Sequence, residues 1–334
     1  MGFLQKLVDL VKEELLDEPK KSAPKKRLSE AIQDENDSFE QLCAKAKSGD
    51  LAAQSRLYQQ FANKSDKYKA LETLFTEMMN NGDIEGKGLL AALLATRPEN
   101  AEKSQKLTIE AFNEGSLFIT ALNGIVFATP KGLRRDWNPE ITDNRLIVCP
   151  VNYNKAIPLL EKAAEKLENC SEEVQTAYRE VYGYLAYCYG YVGNNAALYK
   201  YAFRGSDLGD PVANIKMFTG YLYGDGEFEK NIDYALAYAK KIEKQKDYIL
   251  PPLMAYYYTH IANYYSQQRN NEKAFSYFEK AAKLGGSMGM AWMSMFYENG
   301  VVVEKDIDAA LKWRNKATKA GYNWSKRSFA DGCI

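Results

Sequence analysis

From Ser38 almost to the C-terminus, apolar residues return every three or four positions, the period of a helix with one buried face. Turn-forming residues interrupt that period at Gly49-Asp50, Asn81-Gly82, Arg97-Pro98, Gly115, Gly209-Asp210-Pro211, Gly224-Asp225-Gly226, Pro251-Pro252, Gly285-Gly286 and Gly300. No alternating strand pattern of comparable strength is present, so the prediction is an all-α chain of short helices. Ser38 and Gln41 stand at capping-box spacing and predict the first helix start of this body. Upstream, residues 1–17 set Phe3, Leu4, Leu7, Val8, Val11 and Leu15 at helical steps among charged residues, which predicts a separate amphipathic helix. Residues 18–37 switch from a basic block, Lys20 to Arg27, to an acidic one, Glu30 to Asp37. With few apolar residues they predict a disordered linker.

Self-comparison shows that the helices come in copies. Met293, Tyr297 and Gly300 are followed by Val303, Asp306, Ala310, Trp313, Lys316, Ala317 and Gly321. Ala274 and Ala281 stand 36 residues before Ala310 and Ala317, and the stretch from Phe275 to Gly285 restates the second helix. Earlier copies carry Met217, Tyr221, Gly224, Ala235 and Tyr238, then Tyr182, Leu185, Ala186, Tyr189 and Tyr201, then Lys155 to Ala164. Weaker copies run from Ala44 to Tyr58, Lys69 to Gly82 and Ala101 to Gly115. The unit from Met288 to Gly321 resembles the Sel1-like repeat, with departures at Ser294, Arg314 and Thr318, and the unit around Tyr258 and Tyr265 is similar to a tetratricopeptide repeat. The resemblance implies an α/α solenoid of about seven helix pairs over residues 38–330. Residues 129–152, with three prolines, are expected as a long loop inside one pair.

In the geometry that this resemblance implies, the positions between the packing residues of each first helix face a concave groove. They are Tyr187, Tyr191, Tyr223, Tyr256, Asn263, Gln267, Glu298 and Asn299. Tyrosine offers large contact area at low entropic cost and asparagine can bond an extended backbone, so these residues are the candidate partner contacts. Tyr182, Tyr189, Tyr221, Tyr258 and Tyr265 are read instead as core. Arg134, Arg135 and Trp137 on the long loop are a second candidate patch, weighed equally against a loop folded back on the rod. The helix over residues 1–17 is expected to dock on a partner or on the solenoid rather than on a membrane, since its polar face is mostly acidic.

Composition narrows the function. Lys plus Arg and Asp plus Glu balance at 44 each, so no net field favours nucleic acid. The five cysteines, Cys43, Cys149, Cys170, Cys188 and Cys333, are widely spaced without a C-x-x-C, which argues against a disulfide framework or thiolate metal site and for a reducing compartment. His260 is the single histidine, and no nucleophile, base and acid can be assembled around it. No apolar run is long enough to span a bilayer. The reading is a cytoplasmic, bacterial, non-enzymatic scaffold or adaptor that binds a protein or peptide and needs no cofactor, metal or nucleic acid. The alternative is an immunity or inhibitor protein that neutralises a toxic effector, a role found among proteins of this resemblance. A β-lactamase-like enzyme is the weakest reading, because the cysteine pairs that staple each repeat in such proteins are missing here.

Overall fold

The structure, a computed structural model, describes residues 37–129, 151–225, 228–246, 249 and 251–324. Among them are helices and turns and no strand, and the body from Ser38 onward is one compact unit. An inner set of helices comprises α2 (Leu51–Phe61), α4 (Ile84–Leu94), α6 (Leu117–Ala128), α9 (Glu180–Val192), α11 (Pro211–Tyr223), α13 (Pro251–Gln267) and α15 (Ser287–Asn299). An outer set alternates with it: α1 (Phe39–Lys47), α3 (Tyr68–Asn80), α5 (Ala101–Glu114), α7 (Tyr153–Glu168), α10 (Asn195–Asp207), α12 (Ile232–Lys244), α14 (Asn271–Lys283) and α16 (Ile307–Lys319). A short α8 (Glu172–Ala177) stands between α7 and α9. Seven inner helices are thus each followed by an outer one, an α/α solenoid with α1 leading it.

Most of the helices start where a side chain offers an acceptor to their free amides. Ser38 and Gln41 form the capping box, Ser38 Oγ accepting from Gln41 N and Gln41 Oε1 from Ser38 N. Asn152, Asn194, Asn231, Asn270 and Asp306 cap the outer helices α7, α10, α12, α14 and α16 with their side chains, each cap contributing about 1 kcal/mol. Left-handed glycines close both sets, Gly209, Gly285 and Gly321 after outer helices and Gly193, Gly224 and Gly300 after inner ones.

Burial separates the two sets. Along α11 nearly every residue is enclosed, whereas α12 buries Ala235, Ala239 and Ile242, and α16 only Ala310 and Ala317. Consecutive inner helices pack on each other all along the chain, from α2 on α4 to α13 on α15. The outer helices, apart from α1 and α3, meet one another at most weakly. A stack that is tight on one side and splayed on the other curves, with the inner helices lining its concave side. Small residues let an outer helix and the next inner one approach closely. A Cβ on Gly289 of α15 would lie 2.7 Å from Ala282 N and 2.9 Å from Phe278 O, so only glycine lets α14 and α15 approach as they do. The pair α6 and α7 packs together and Asn152 N donates to Phe127 O (2.9 Å), while the residues between, 130–150, lie outside the described residues. The same holds for residues 1–36, which include the amphipathic helix read from the sequence.

The core tyrosines divide further than the periodicity predicts. Tyr182 and Tyr258 are buried, but Tyr189, Tyr221 and Tyr265 are half-buried in stacked pairs, with Tyr201, Tyr238 and Tyr277 respectively. Among the described tyrosines the ring most completely enclosed is Tyr257, edge-on to Phe218 at 5.2 Å and 0% exposed. Its neighbour Tyr256 points to the concave side. These adjacent residues test the placement of α13. Tyr257→Ala should cost about 3–5 kcal/mol in denaturant unfolding and Tyr256→Ala under about 1 kcal/mol; equal losses would contradict the packing described.

Candidate functional site

On α9, Tyr187 and Tyr191 stand one turn apart, and their rings tilt together at 4.9 Å. Tyr153, at the start of α7, stacks on Tyr191 at 4.8 Å. The next inner helix sends Lys216 between two neighbours, its Nζ lying 5.5 Å from the Tyr187 ring centre and 5.2 Å from that of Tyr256 on α13. Tyr256 meets His260 edge to face at 4.2 Å, and His260 Nδ1 is 2.8 Å from the hydroxyl of Tyr223 on α11. Side chains from three consecutive repeats thereby join into one surface. Tyr191, Tyr223 and Tyr256 retain 61%, 42% and 39% exposure, so these rings are available to a partner.

The surface continues into a cleft of about 630 Å³ between α13 and α15, lined by Tyr223, Tyr256, His260, Asn263, Gln267 and Trp292 among others. Of the residues expected from the sequence, Tyr187, Tyr191, Tyr223, Tyr256, Asn263 and Gln267 therefore fall on one continuous face. Glu298 and Asn299 are exposed at the far end of α15 and do not line the cleft. Arg134, Arg135 and Trp137 lie outside the described residues.

Lys216 and Tyr153 were not expected there, and the sequence assigned His260 no part in this face. The repeat register contains the missing signal. Tyr184, Lys216, His260 and Trp292 each stand five residues before the repeat tyrosine (Tyr189, Tyr221, Tyr265 and Tyr297). Tyr191, Tyr223, Gln267 and Asn299 each stand two residues after it. Positions seven apart on a helix share a face, so the two columns run along the same side of the solenoid.

The electrostatics of this face follow from its concavity. Area remains open to solvent, yet protein crowds each group from both sides and thins its hydration. Burial pushes the Tyr223 and Tyr256 hydroxyls up to about 12 and that of Tyr153 likewise to about 12, and it raises Tyr187 further. Burial, and secondarily the charge of Lys216, lowers His260 to about 4. Lys216 itself falls to about 8 through burial, opposed in part by Asp225. At neutral pH the tyrosines and the imidazole are neutral and Lys216 is the charged group at their centre. Among the described residues no cluster of three or more His, Cys, Asp or Glu side chains could hold a metal ion.

A second, smaller cavity of about 120 Å³ lies deeper, walled by Tyr58, Phe118, Ile125, Val181 and Asp210 among others. Asp210 caps α11 through Ala213 N (2.7 Å) and is 0% exposed, with Oδ2 lacking a hydrogen-bond partner among the described residues. Gly183 makes room for this carboxyl, since a Cβ there would overlap Asp210 Oδ1. Burial raises Asp210 to about 7.

His260 and Asp210 act on stability in opposite directions. The unfolded chain protonates His260 first, so stability falls as pH drops from 6.5 towards 4. The folded chain protonates Asp210 first, so stability rises as pH drops from 7 towards 3.8. Between pH 7 and about 5 each contribution is about 2 kcal/mol, and in the wild type they offset each other. Denaturant unfolding across this range should show His260→Asn gaining stability on acidification relative to wild type and Asp210→Asn losing it; parallel profiles for all three would contradict both assignments.

Comparison with known proteins agrees with this architecture. The model of the Sel1 repeat family matches residues 146–166, 211–247, 254–286 and 287–322, the last three covering α11–α12, α13–α14 and α15–α16. Among solved structures, a Sel1 repeat protein from Oxalobacter formigenes is similar with a TM-score of 0.51 and 18% identity, over 75% of this chain and 94% of that one. At that identity the likeness speaks for the fold alone. A protective antigen of uropathogenic Escherichia coli with an SLR fold, c5321, aligns with a TM-score of 0.39 and 17% identity over 86% of this chain and 65% of its own, too slight a likeness to argue from. No curated protein matches the sequence significantly.

Proposed function

The chain carries Sel1 repeats, and we propose that it is a non-enzymatic scaffold or adaptor that holds a protein partner on the concave face of its solenoid. The observation that carries this reading is the run of tyrosines shared by three successive inner helices, the exposed Tyr191 on α9, Tyr223 on α11 and Tyr256 on α13, with the half-buried Tyr187 of α9 beside them. Tyrosine is over-represented among the few residues that dominate binding energies, because a large, stiff ring loses little entropy when it is covered. Here the rings brace one another and Lys216 before any partner arrives, so little remains to be ordered on binding. The adjoining cleft, with Asn263 and Gln267 in its wall, offers amide groups to an extended backbone.

Acid–base chemistry fits this face poorly. General catalysis favours groups poised near the working pH, and here burial moves the tyrosines and His260 away from it; Lys216 alone is brought towards it, to about 8, and no described acid–base partner on this face is poised there with it. No single helix among the described residues is long and apolar enough to cross a membrane. The proposal includes a cytoplasmic location, which rests on the wide spacing of the five cysteines and the lack of a C-x-x-C in the sequence.

The test is affinity capture from the source cells with the full chain, followed by direct binding to the recovered partner. Replacing Tyr187, Tyr223 and Tyr256 together by alanine should weaken that partner by more than about a hundredfold, at about 1–2 kcal/mol per ring. Tyr234→Ala, which removes an equally exposed ring from the outer helix α12, should leave binding intact. Undiminished binding by the triple variant would overturn the proposal. The identity of the partner also separates an adaptor from an inhibitor of a toxic effector.

A further inference from the structure

We propose that the concave surface recognises a carboxylate on its polypeptide partner, seated on Lys216 between the rings of Tyr187 and Tyr256. The inference rests on the concave face being the binding surface and adds the chemistry that this face selects. Lys216 stands at the junction of α9, α11 and α13, its ammonium within cation–π range of one ring on each flank. It forms no salt bridge with any described residue, and Asp225 acts on it only from beyond ion-pair distance. Two rings at over 5 Å replace only part of the hydration that a lysine loses in such a setting. A cation held in place, poorly hydrated and without an ion pair among the described residues complements an anion brought by a ligand.

The surroundings specify that anion further. Among the described residues no second cation acts on Lys216 and none but Lys216 acts on His260, so the surface matches a single negative charge better than a phosphate dianion. The groups around it, Tyr187, Tyr223, Tyr256 and His260, are neutral and can donate hydrogen bonds or cover apolar surface, so they do not compete for the lysine. The rings on both sides would cover the carbon chain that carries the carboxylate. The source is either an Asp or Glu side chain or the C-terminus of the partner chain, since both present the same group.

Lys216→Met keeps the length of the side chain and removes its charge. Because it also removes a poorly hydrated cation, the free variant should melt no lower than wild type, which shows that the fold survives. The binding probe is a random peptide library displayed with free C-termini and selected on the full-length wild type. Selected peptides should be enriched in Asp and Glu or depend on a free C-terminus, and synthetic copies with an amidated C-terminus distinguish the two sources. Lys216→Met should weaken them about tenfold or more, whereas Lys200→Met, on the outer helix α10, should not. Binding should also weaken with added salt and as the pH rises above about 8. Peptides without acidic enrichment that Lys216→Met binds as well as wild type would overturn this inference and leave the concave-face reading standing. Failure of the wild type to enrich any peptide would count against that reading itself.

Discussion

An inner helix of this protein can be covered only by its neighbours. Along α11 the buried residues occupy almost the whole circumference, and α12 supplies just one side of the cover. The rest comes from α9 and α10 before it and α13 after it. No single helix pair could satisfy such a helix, so the pairs must stack, and the closeness of the stack is set by small residues where backbones meet. Gly289 against α14 and Gly205 against Ala213 of α11 are two such points, each leaving no room for a Cβ without movement of the neighbour. The inner helices also meet one another directly, whereas the outer ones beyond α1 and α3 meet at most weakly, so the stack closes on the inner side and opens on the outer, and concavity follows from packing.

That geometry creates the candidate site. Side chains that point inward from α9, α11 and α13 converge, whereas on the outer face the same spacing would spread them apart. Convergence brings four tyrosines, a histidine and a lysine into mutual contact without any of them entering the core. It also removes water from groups that remain open to a partner, which explains how Lys216 and His260 can be perturbed by burial while standing at the surface of a groove. A surface with neutral rings around one poorly solvated charge suits recognition, because covering it releases little bound water from the rings and supplies the charge with a counter-ion.

The all-helical architecture, the breaks and the seven-unit register were legible because they depend on local rules. The Ser38–Gln41 box, the left-handed glycines and the alanines at Ala281 and Ala317 act within a few residues of themselves. Six of the residues proposed for the concave face were legible for the same reason, since helical spacing from the repeat tyrosines places them. Lys216 was not. Its role depends on Tyr187 from the unit before and Tyr256 from the unit after, and no single-helix pattern contains that coincidence. His260 was weighed as a lone histidine, although its equivalence to Lys216 in the repeat column marks it as inward-facing. Tyr257 was missing from the expected core tyrosines for a similar cause: periodicity identifies the buried face of α13 but not which ring on it the α11 residue Phe218 covers.

The central claim is that a partner covers the concave tyrosines, and oxidative footprinting of side chains in the free and partner-bound chain measures this residue by residue. Tyr187, Tyr191, Tyr223 and Tyr256 should lose reactivity on binding, while Tyr234 on the outer helix α12 keeps it. Protection of Tyr234 with undiminished reactivity of the four concave tyrosines would show that the protein binds through its convex side and would contradict the account.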